Sequence, residues 1–282
     1  MSTFNEPISN SKSIILSIFA GVLLSLSFPP FKLSQLSFCF LVPLFFSLQR
    51  ATPHQAFRLG LLCGVVAYGL SVHWVKNTMI LYGGMHPLLS YLVTLLLVIY
   101  MAIYIAFFAF FFVRFFRKFQ SLIFLSVPSI WVSLEFIRAH LFTGFPWILL
   151  GYSQYEMSYI IQIADLTGVY GISFFIVLVN FLFFHFFNKP KSLLRWEGFF
   201  LLLVTTFIFS YGYFKTSSDF KTEKSRIQNI GIVQPNITPE IKWSRKYIGH
   251  IKDVLEIQTK SVSDNLGFSK NRKKLIIWPE AA

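Results

Sequence analysis

The sequence predicts an α-helical polytopic membrane bundle of about seven transmembrane helices, followed by the first βαβ unit of an α/β domain. The chain has 282 residues, of which 55% are hydrophobic and only 13% are charged. A typical soluble domain has about 25% charged residues. The apolar residues are gathered into long runs, and the sequence becomes polar after residue 214. These observations exclude a soluble globule, a disulfide scaffold and a disordered chain.

Seven apolar runs predict the helices of a transmembrane domain that covers residues 1–214. A helix needs about 20 apolar residues to cross the hydrocarbon core of a bilayer. The runs cover residues 12–28, 34–49, 56–75, 87–113, 121–140, 160–187 and 197–214. Run 34–49 is short and contains Pro43, so we expect a broken or tilted helix there.

The basic residues between the runs predict the orientation of the chain in the membrane. Nine of them fall on one side of the predicted bundle, and three on the other. The nine are Lys12, Arg50, Arg58, Arg114, Arg117, Lys118, Lys189, Lys191 and Arg195, and the three are Lys32, Lys76 and Arg138. Because cytoplasmic loops are enriched in Lys and Arg, we expect a cytoplasmic N-terminus and an outward-facing, periplasmic C-terminal tail. This topology explains the net charge of +13 better than a nucleic acid partner, which we do not predict.

The tail, residues 215–282, reads as one βαβ unit. Residues 228–233 and 274–279 are apolar and predict two strands. Between them, Thr238-Pro239-Glu240 is typical of a helix start, and apolar residues follow at steps of three and four as far as Val262. Asn265 and Gly267 predict the end of this helix. One crossover cannot bury both faces of its sheet. We therefore expect an outer domain that is either truncated or completed by another chain.

Three polar residues within a predicted span form the first candidate site. Trp131, Glu135 and Arg138 are spaced i, i+4 and i+7, so they share one face of a helix. An ionised group within lipid is costly unless it is paired, so we expect Glu135 and Arg138 to pair across three residues. One interpretation is a structural ion pair that locks the helix end, and the other is a site for a phospholipid head group.

The second candidate site is the acid of Trp278-Pro279-Glu280, directly after the second predicted strand. Carboxyl ends of parallel strands are where α/β sheets place their sites, so Glu280 is a candidate catalytic residue; the alternative is a solvated surface acid. The histidines His73 and His86 lack a second ligand at metal spacing, and we predict no metal and no cofactor. Cys39 and Cys63 both lie in apolar runs and read as small hydrophobic residues.

Several short segments together resemble the apolipoprotein N-acyltransferases of the bacterial envelope. In order, they are Ser27-Phe28-Pro29-Pro30-Phe31, His73-Trp74-Val75, Tyr82-Gly83-Gly84-Met85, Glu135-Phe136-Ile137-Arg138, Thr143-Gly144-Phe145-Pro146-Trp147, Gly151-Tyr152-Ser153-Gln154, Val233-Gln234-Pro235-Asn236-Ile237, Lys242-Trp243 and Ile276-Ile277-Trp278-Pro279-Glu280. Each segment is short, but their joint order and spacing are specific, and they cover essentially the whole chain.

The resemblance implies a membrane bundle of the bacterial inner membrane with a periplasmic, nitrilase-like α/β/β/α domain. It implies an enzyme that takes an acyl chain from a phospholipid, holds it as a thioester on a cysteine, and passes it to the α-amino group of a diacylglyceryl apolipoprotein. Of the family's Glu, Lys and Cys triad, Glu280 matches the Glu. Trp243 matches a residue of substrate handling, and Arg138 and Trp147 match a loop on the lipid side.

The resemblance also sets out what to expect of this chain alone. The family's lysine, cysteine and last span come well after Trp-Pro-Glu, so we expect residues 1–282 to be inactive by themselves. The alternatives are a non-catalytic, lipid-binding membrane remnant and the N-terminal half of a split enzyme with a separately encoded C-terminal half. A transporter is disfavoured because Glu135, Arg138 and Asp165 fall near the ends of predicted spans rather than near the midplane.

Overall fold

The computed structural model describes residues 10–116, 123–188, 196–217, 229–242, 244–266 and 274–279. The chain divides into two compact units, Met1–Ser218 and Asp219–Ala282. The first unit is helical, and the second contains a small parallel sheet.

The first unit contains nine described α-helices. They are α1 (Asn10–Leu26), α2 (Leu41–Leu48), α3 (Pro53–Ser71), α4 (Val75–Leu81), α5 (Pro87–Phe116), α6 (Ile123–His140), α7 (Ser158–Ile161), α8 (Ala164–Asn188) and α9 (Trp196–Ser217). Short 3₁₀ helices cover Ser34–Phe38, Leu141–Thr143 and Leu150–Gln154. Helices therefore occupy each of the seven apolar runs.

Three described helices are long and apolar enough to cross a membrane. They are Pro87–Phe115, Ala164–Asn188 and Gly198–Ser217. The pair α3 and α4, bent by 45°, would add a fourth span. The chain is thus a helical membrane protein, and a total of seven crossings stays a prediction.

The second apolar run is broken, as its length and Pro43 predict. The break comes before Pro43, at residues 39–40, so the proline lies in the first turn of α2, where its missing N–H is tolerated. Asn180 of α8 bridges the break: its Oδ1 accepts from the Leu41 N–H at 2.8 Å, and its Nδ2 donates to the Ser37 carbonyl at 2.7 Å. Buried polar contacts therefore hold the two half-helices against α8.

Small residues bring α3 and α5 into close contact. A Cβ at Gly60 would lie 2.7 Å from the Ile105 carbonyl oxygen, and a Cβ at Gly64 would lie 2.7 Å from Ala102 Cα. The order of these contacts shows that the two helices are antiparallel. Small residues four apart let helix backbones approach closely, which is how helices associate in the absence of a hydrophobic driving force.

The second unit is a βαβ unit, as predicted. Strands β1 (Asn229–Ile232) and β2 (Lys274–Ile277) pair in parallel, with Asn229 opposite Lys274. Val233, Ile251 and Leu255 form its buried core.

The crossover helix differs from the prediction at its start and agrees at its end. We expected one helix from Thr238 onward, but a short helix α10 (Pro239–Lys242) is separated from α11 (Ile248–Asn265). Ser244 between them has extended backbone angles (φ −92°, ψ 119°), which end a helix. The helix ends at Asn265, as the sequence indicates.

We expect Gly64→Ala to destabilise the membrane unit. The added Cβ would press on the α5 backbone, and overpacking of this kind costs about 1–3 kcal/mol. Gly69→Ala is the matched control on the same helix, because a Cβ there meets nothing within 4 Å. Helix propensity alone favours Ala over Gly by about 1 kcal/mol, so Gly69→Ala should raise the thermal midpoint in detergent or leave it unchanged. Equal midpoints for the two variants would contradict the close packing.

Candidate functional site

The predicted polar face of α6 is buried in the helical unit. Trp131, Glu135 and Arg138 are only 4%, 5% and 1% exposed. All three lie on one side of α6, as their spacing predicts. An acid and a guanidinium in this position need hydrogen-bond partners, because an unpaired buried charge costs several kcal/mol.

The predicted direct ion pair between Glu135 and Arg138 is wrong. Among the described residues, ion pairs within 4 Å form elsewhere, and each of these two side chains contacts other groups. Glu135 Oε1 accepts from the Leu150 N–H at 2.7 Å. Arg138 Nη2 donates to the Ile148 carbonyl at 3.1 Å. The reason is that the chain after α6 brings backbone groups to this face. The Leu150 N–H binds the Glu135 carboxylate and the Ile148 carbonyl binds the Arg138 guanidinium, in place of a direct contact between the two side chains.

Tyr68 of α3 completes the set of contacts, and the sequence did not single it out. Its hydroxyl accepts from Arg138 Nη1 at 2.7 Å, and the guanidinium lies 5.2 Å from the centre of its ring. Tyr68 is 3% exposed. Nothing in the sequence distinguishes it from the other aromatic residues of its run, so only the structure, in which the Arg138 side chain reaches Tyr68, reveals the contact.

The loop after α6, residues 141–149, follows an unusual path. Phe142, Thr143, Gly144 and Ile148 all have positive φ. Gly144 combines φ 77° with ψ 152°, a region that is essentially restricted to glycine. A Cβ at this position would also overlap the Ala139 carbonyl oxygen. The Phe145 N–H then donates to the Arg138 carbonyl at 3.0 Å, which folds the loop back onto the helix.

This loop exposes two aromatic side chains. Trp147 is 51% exposed, and its ring stacks on that of Phe145 at a centroid distance of 5.5 Å. Phe142 is 83% exposed. The sequence pointed to Trp147 and missed Phe142, which has a left-handed backbone (φ 52°).

A small cavity lies beside the buried polar face. It is lined by Tyr68, Trp131, Glu135 and Arg138, among others, and has a volume of about 10 Å³. A single water molecule needs about 10–15 Å³ by this measure, so a phospholipid head group does not fit. The contacts of Glu135 and Arg138 thus support the structural interpretation, and their role in binding lipid stays a prediction.

Gln154, the last residue of one segment of the resemblance, contacts the 3₁₀ helix Ser34–Phe38. Gln154 Nε2 donates to Ser37 Oγ at 2.7 Å and to the Ser34 carbonyl at 3.1 Å. At the surface, Lys32 Nζ and Glu156 Oε1 form an ion pair at 3.1 Å. The hydrogen bond to Glu156 raises the pKa of Lys32, and hydrogen bonds from Tyr155 and Lys32 lower the pKa of Glu156. These contacts join the loop after α1 to the segment before α7.

The second unit has a cavity of about 300 Å³ at the carboxyl ends of both strands. Its lining includes Gln234, Asn236, Lys242, Trp278 and Pro279. The Trp278 indole N–H donates to Thr259 Oγ1 at 3.1 Å, which ties the end of β2 to α11. This is the edge at which parallel sheets place their sites.

Two predicted site residues, Trp243 and Glu280, lie outside the described residues. Each is the chain neighbour of a residue that lines this cavity, Lys242 and Pro279 respectively. The described residues hold no group of three or more His, Cys, Asp or Glu side chains that could bind a metal ion.

The apolar helices and the buried polar face define a helical membrane protein with an appended α/β unit. The model of the apolipoprotein N-acyltransferase N-terminal domain matches residues 20–182, more than half of the chain. The chain therefore belongs to the apolipoprotein N-acyltransferase family.

Curated relatives extend the similarity to nearly the whole chain. The apolipoprotein N-acyltransferase of Geobacter metallireducens is 33% identical over 276 residues, which are 96% of this chain and 51% of that protein. Those of Pasteurella multocida and Coxiella burnetii are 29% and 30% identical over 95% of this chain, and 50% and 53% of their own lengths are covered. The chain thus spans about half the length of the curated relatives it matches.

We expect Gly144→Ala to loosen the loop after α6. The substitution forces both a restricted backbone conformation and an overlap with Ala139, for a combined cost of about 3 kcal/mol or more. Gly84→Ala is the matched control, since Gly84 also has positive φ (59°) but a Cβ there meets nothing within 4 Å. That change should cost about 1–2 kcal/mol.

Limited proteolysis in detergent measures this difference. Gly144→Ala should speed cleavage within residues 141–149 much more than Gly84→Ala speeds cleavage within its own loop. If cleavage at 141–149 stays at the wild-type rate, the loop does not depend on the backbone path described here.

Proposed function

We propose that the chain supplies the membrane part and the first βαβ unit of an apolipoprotein N-acyltransferase. The reaction moves an acyl chain from a phospholipid to the α-amino group of a diacylglyceryl-cysteine apolipoprotein. The enzyme lies in the bacterial inner membrane, with a cytoplasmic N-terminus and the βαβ unit in the periplasm. Membership of the family and the similarity over nearly the whole chain support this proposal.

The observation that carries the proposal is the cavity at the carboxyl edge of the parallel sheet. Its volume of about 300 Å³ falls at the lower end of the range of small-molecule sites. Pro279 lines it, so the backbone leads directly from the cavity to Glu280. Glu280 closely follows the end of β2 in the sequence, and this end lies at the edge where parallel sheets place their sites.

Glu280 acts as a general base in two steps. It first takes the proton of a cysteine thiol, and the thiolate attacks the ester carbonyl of the phospholipid. As the ester C–O bond breaks, Glu280 gives this proton to the leaving alkoxide, so that a thioester forms and a lysophospholipid is released. The α-amino group of the apolipoprotein then attacks the thioester, Glu280 takes the amine proton, and it passes this proton to the leaving thiolate, which restores the thiol. A positioned base of this kind contributes about 10²–10⁴-fold to the rate.

The cysteine of this reaction is neither of the two in the 282 residues. Cys63 is fully buried among the helices of the helical unit, so its thiol is not accessible to a substrate. Cys39 precedes α2 in the same unit. The nucleophile and the triad lysine therefore come from a C-terminal half, encoded together with this chain or separately.

The sheet of the second unit supports a partner of this kind. Ile230, Ile232, Leu275 and Ile277 all lie on one face, since Ile230 pairs with Leu275 and Ile232 with Ile277. Each is between 44% and 70% exposed within the described residues. A second sheet packed on this apolar face gives the α/β/β/α sandwich that the resemblance implies.

The residues of the helical unit have two different roles in this proposal. Trp147 and the neighbouring Phe142 are exposed, and they contact the acyl chains of the substrates. Glu135 and Arg138 are buried and act as positioning residues, because they hold the loop that carries both aromatic side chains. Trp243, the chain neighbour of Lys242, contributes to substrate handling.

Co-production of this chain with a family C-terminal half that carries the lysine, cysteine and last span tests the proposal. We expect the pair, and neither half alone, to N-acylate a diacylglyceryl lipoprotein, measured by mass spectrometry. Glu280→Gln should lower the rate by about 10²–10⁴-fold. Glu256→Gln is the matched control in the same unit, because Glu256 is exposed and pairs only with Lys260 among the described residues.

Two results would contradict the proposal. An inactive mixture of two membrane-inserted halves would leave the alternative, a non-catalytic membrane remnant. Full activity of Glu280→Gln would remove the general base from the mechanism.

A further inference from the structure

The helical unit has a second cavity, at the end of α3 opposite Tyr68. It has a volume of about 310 Å³ and lies among α1, the end of α2 and the start of α3. Arg58 is ten residues before Tyr68, which is about 15 Å along a helix. The cavity is therefore separate from the polar face of α6 and its loop.

The lining of this cavity is basic and polar on one side. Arg50 and Arg58 both line it, with Ser13, Ser47 and Gln55 beside them, and none of the described residues in the lining is acidic. Two guanidinium groups from different segments suit a phosphate group, because each presents a planar set of donors. The volume is sufficient for a phosphate with its attached glycerol.

The other side of the cavity is apolar and continues onto the surface of α1. Ile14 lines the cavity and is 44% exposed. Ile15, Ile18 and Phe19 continue from it along one face of α1, with exposed fractions of 63%, 38% and 50%. An exposed apolar stripe on a membrane helix faces lipid, so an acyl chain can follow this stripe while its head group occupies the cavity.

The geometry points to a binding site for an anionic phospholipid between α1, α2 and α3. The phosphate contacts Arg50 and Arg58, and one acyl chain lies along Ile14 and Ile18. In the topology proposed above, this end of the bundle faces the cytoplasm, so the bound lipid belongs to the inner leaflet and is not the acyl donor. Basic pockets between transmembrane helices on the cytoplasmic side bind head groups in this way.

Native mass spectrometry of the full chain, released from detergent, tests this site. Phosphatidylglycerol is titrated into the wild-type chain, into the Arg58→Gln variant and into the double variant that carries both Arg50→Gln and Arg58→Gln. Arg114→Gln is the matched control: Arg114 is exposed in the last turn of α5, and the antiparallel packing of α5 on α3 places it at the same end of the bundle, outside the cavity lining. Thermal midpoints verify that each variant is folded, and Arg58→Gln alone suffices if the double variant does not fold.

We expect Arg58→Gln to weaken phosphatidylglycerol binding about tenfold, the double variant more, and Arg114→Gln less than twofold. Equal weakening by Arg58→Gln and Arg114→Gln would mean a general charge effect and would overturn the site. Unchanged binding in the double variant would overturn it as well.

Three further probes identify the source of the phosphate. Glycerophosphoglycerol, which has the head group without acyl chains, should bind at least tenfold more weakly than the lipid. Diacylglycerol, which has the acyl chains but lacks the phosphate, should show no binding in the same titration. If inorganic phosphate binds as tightly as the lipid, the site recognises a free anion and the lipid assignment is wrong.

Discussion

The fold of the helical unit depends on the burial of an acid and a guanidinium inside an apolar bundle. Glu135 and Arg138 are almost inaccessible, and lipid or apolar side chains cannot replace the water that they lose. The loop after α6 and the residue that follows it supply part of the replacement from their backbone, through the Ile148 carbonyl and the Leu150 N–H. Glu135 and Arg138 thereby fix the path of the loop where it passes α6.

The same constraint appears at the other irregular parts of the unit. The break between residues 38 and 41 leaves backbone groups without helical partners, and Asn180 contacts them from α8. Gln154 does the same for the Ser34 carbonyl. These departures from regular helix are thus paired with buried polar side chains from other elements, as a membrane environment requires.

The sequence predicts the positions of the elements better than it predicts the contacts between them. Apolar runs of sufficient length predict helices, and the parallel pairing of the two strands follows from their separation by a helix. The polar face of α6 follows from its spacing. The partners on that face could not be predicted, because a direct Glu135–Arg138 pair satisfies the same local pattern. The outcome depends on Tyr68, which is 70 residues away, and on left-handed backbone at Phe142 and Ile148.

The proposed function requires the loop after α6 and the C-terminal tail to face the periplasm, away from the cavity with Arg50 and Arg58. Impermeant maleimide labelling of intact cells measures this directly, with Cys39→Ala and Cys63→Ala as background. A cysteine introduced by Phe142→Cys and one appended after Ala282 should both be labelled from outside. A cysteine introduced by Arg58→Cys should react only after the inner membrane is opened. If the Arg58→Cys protein is labelled in intact cells and the other two cysteine positions are not, the topology on which the proposed reaction depends is contradicted.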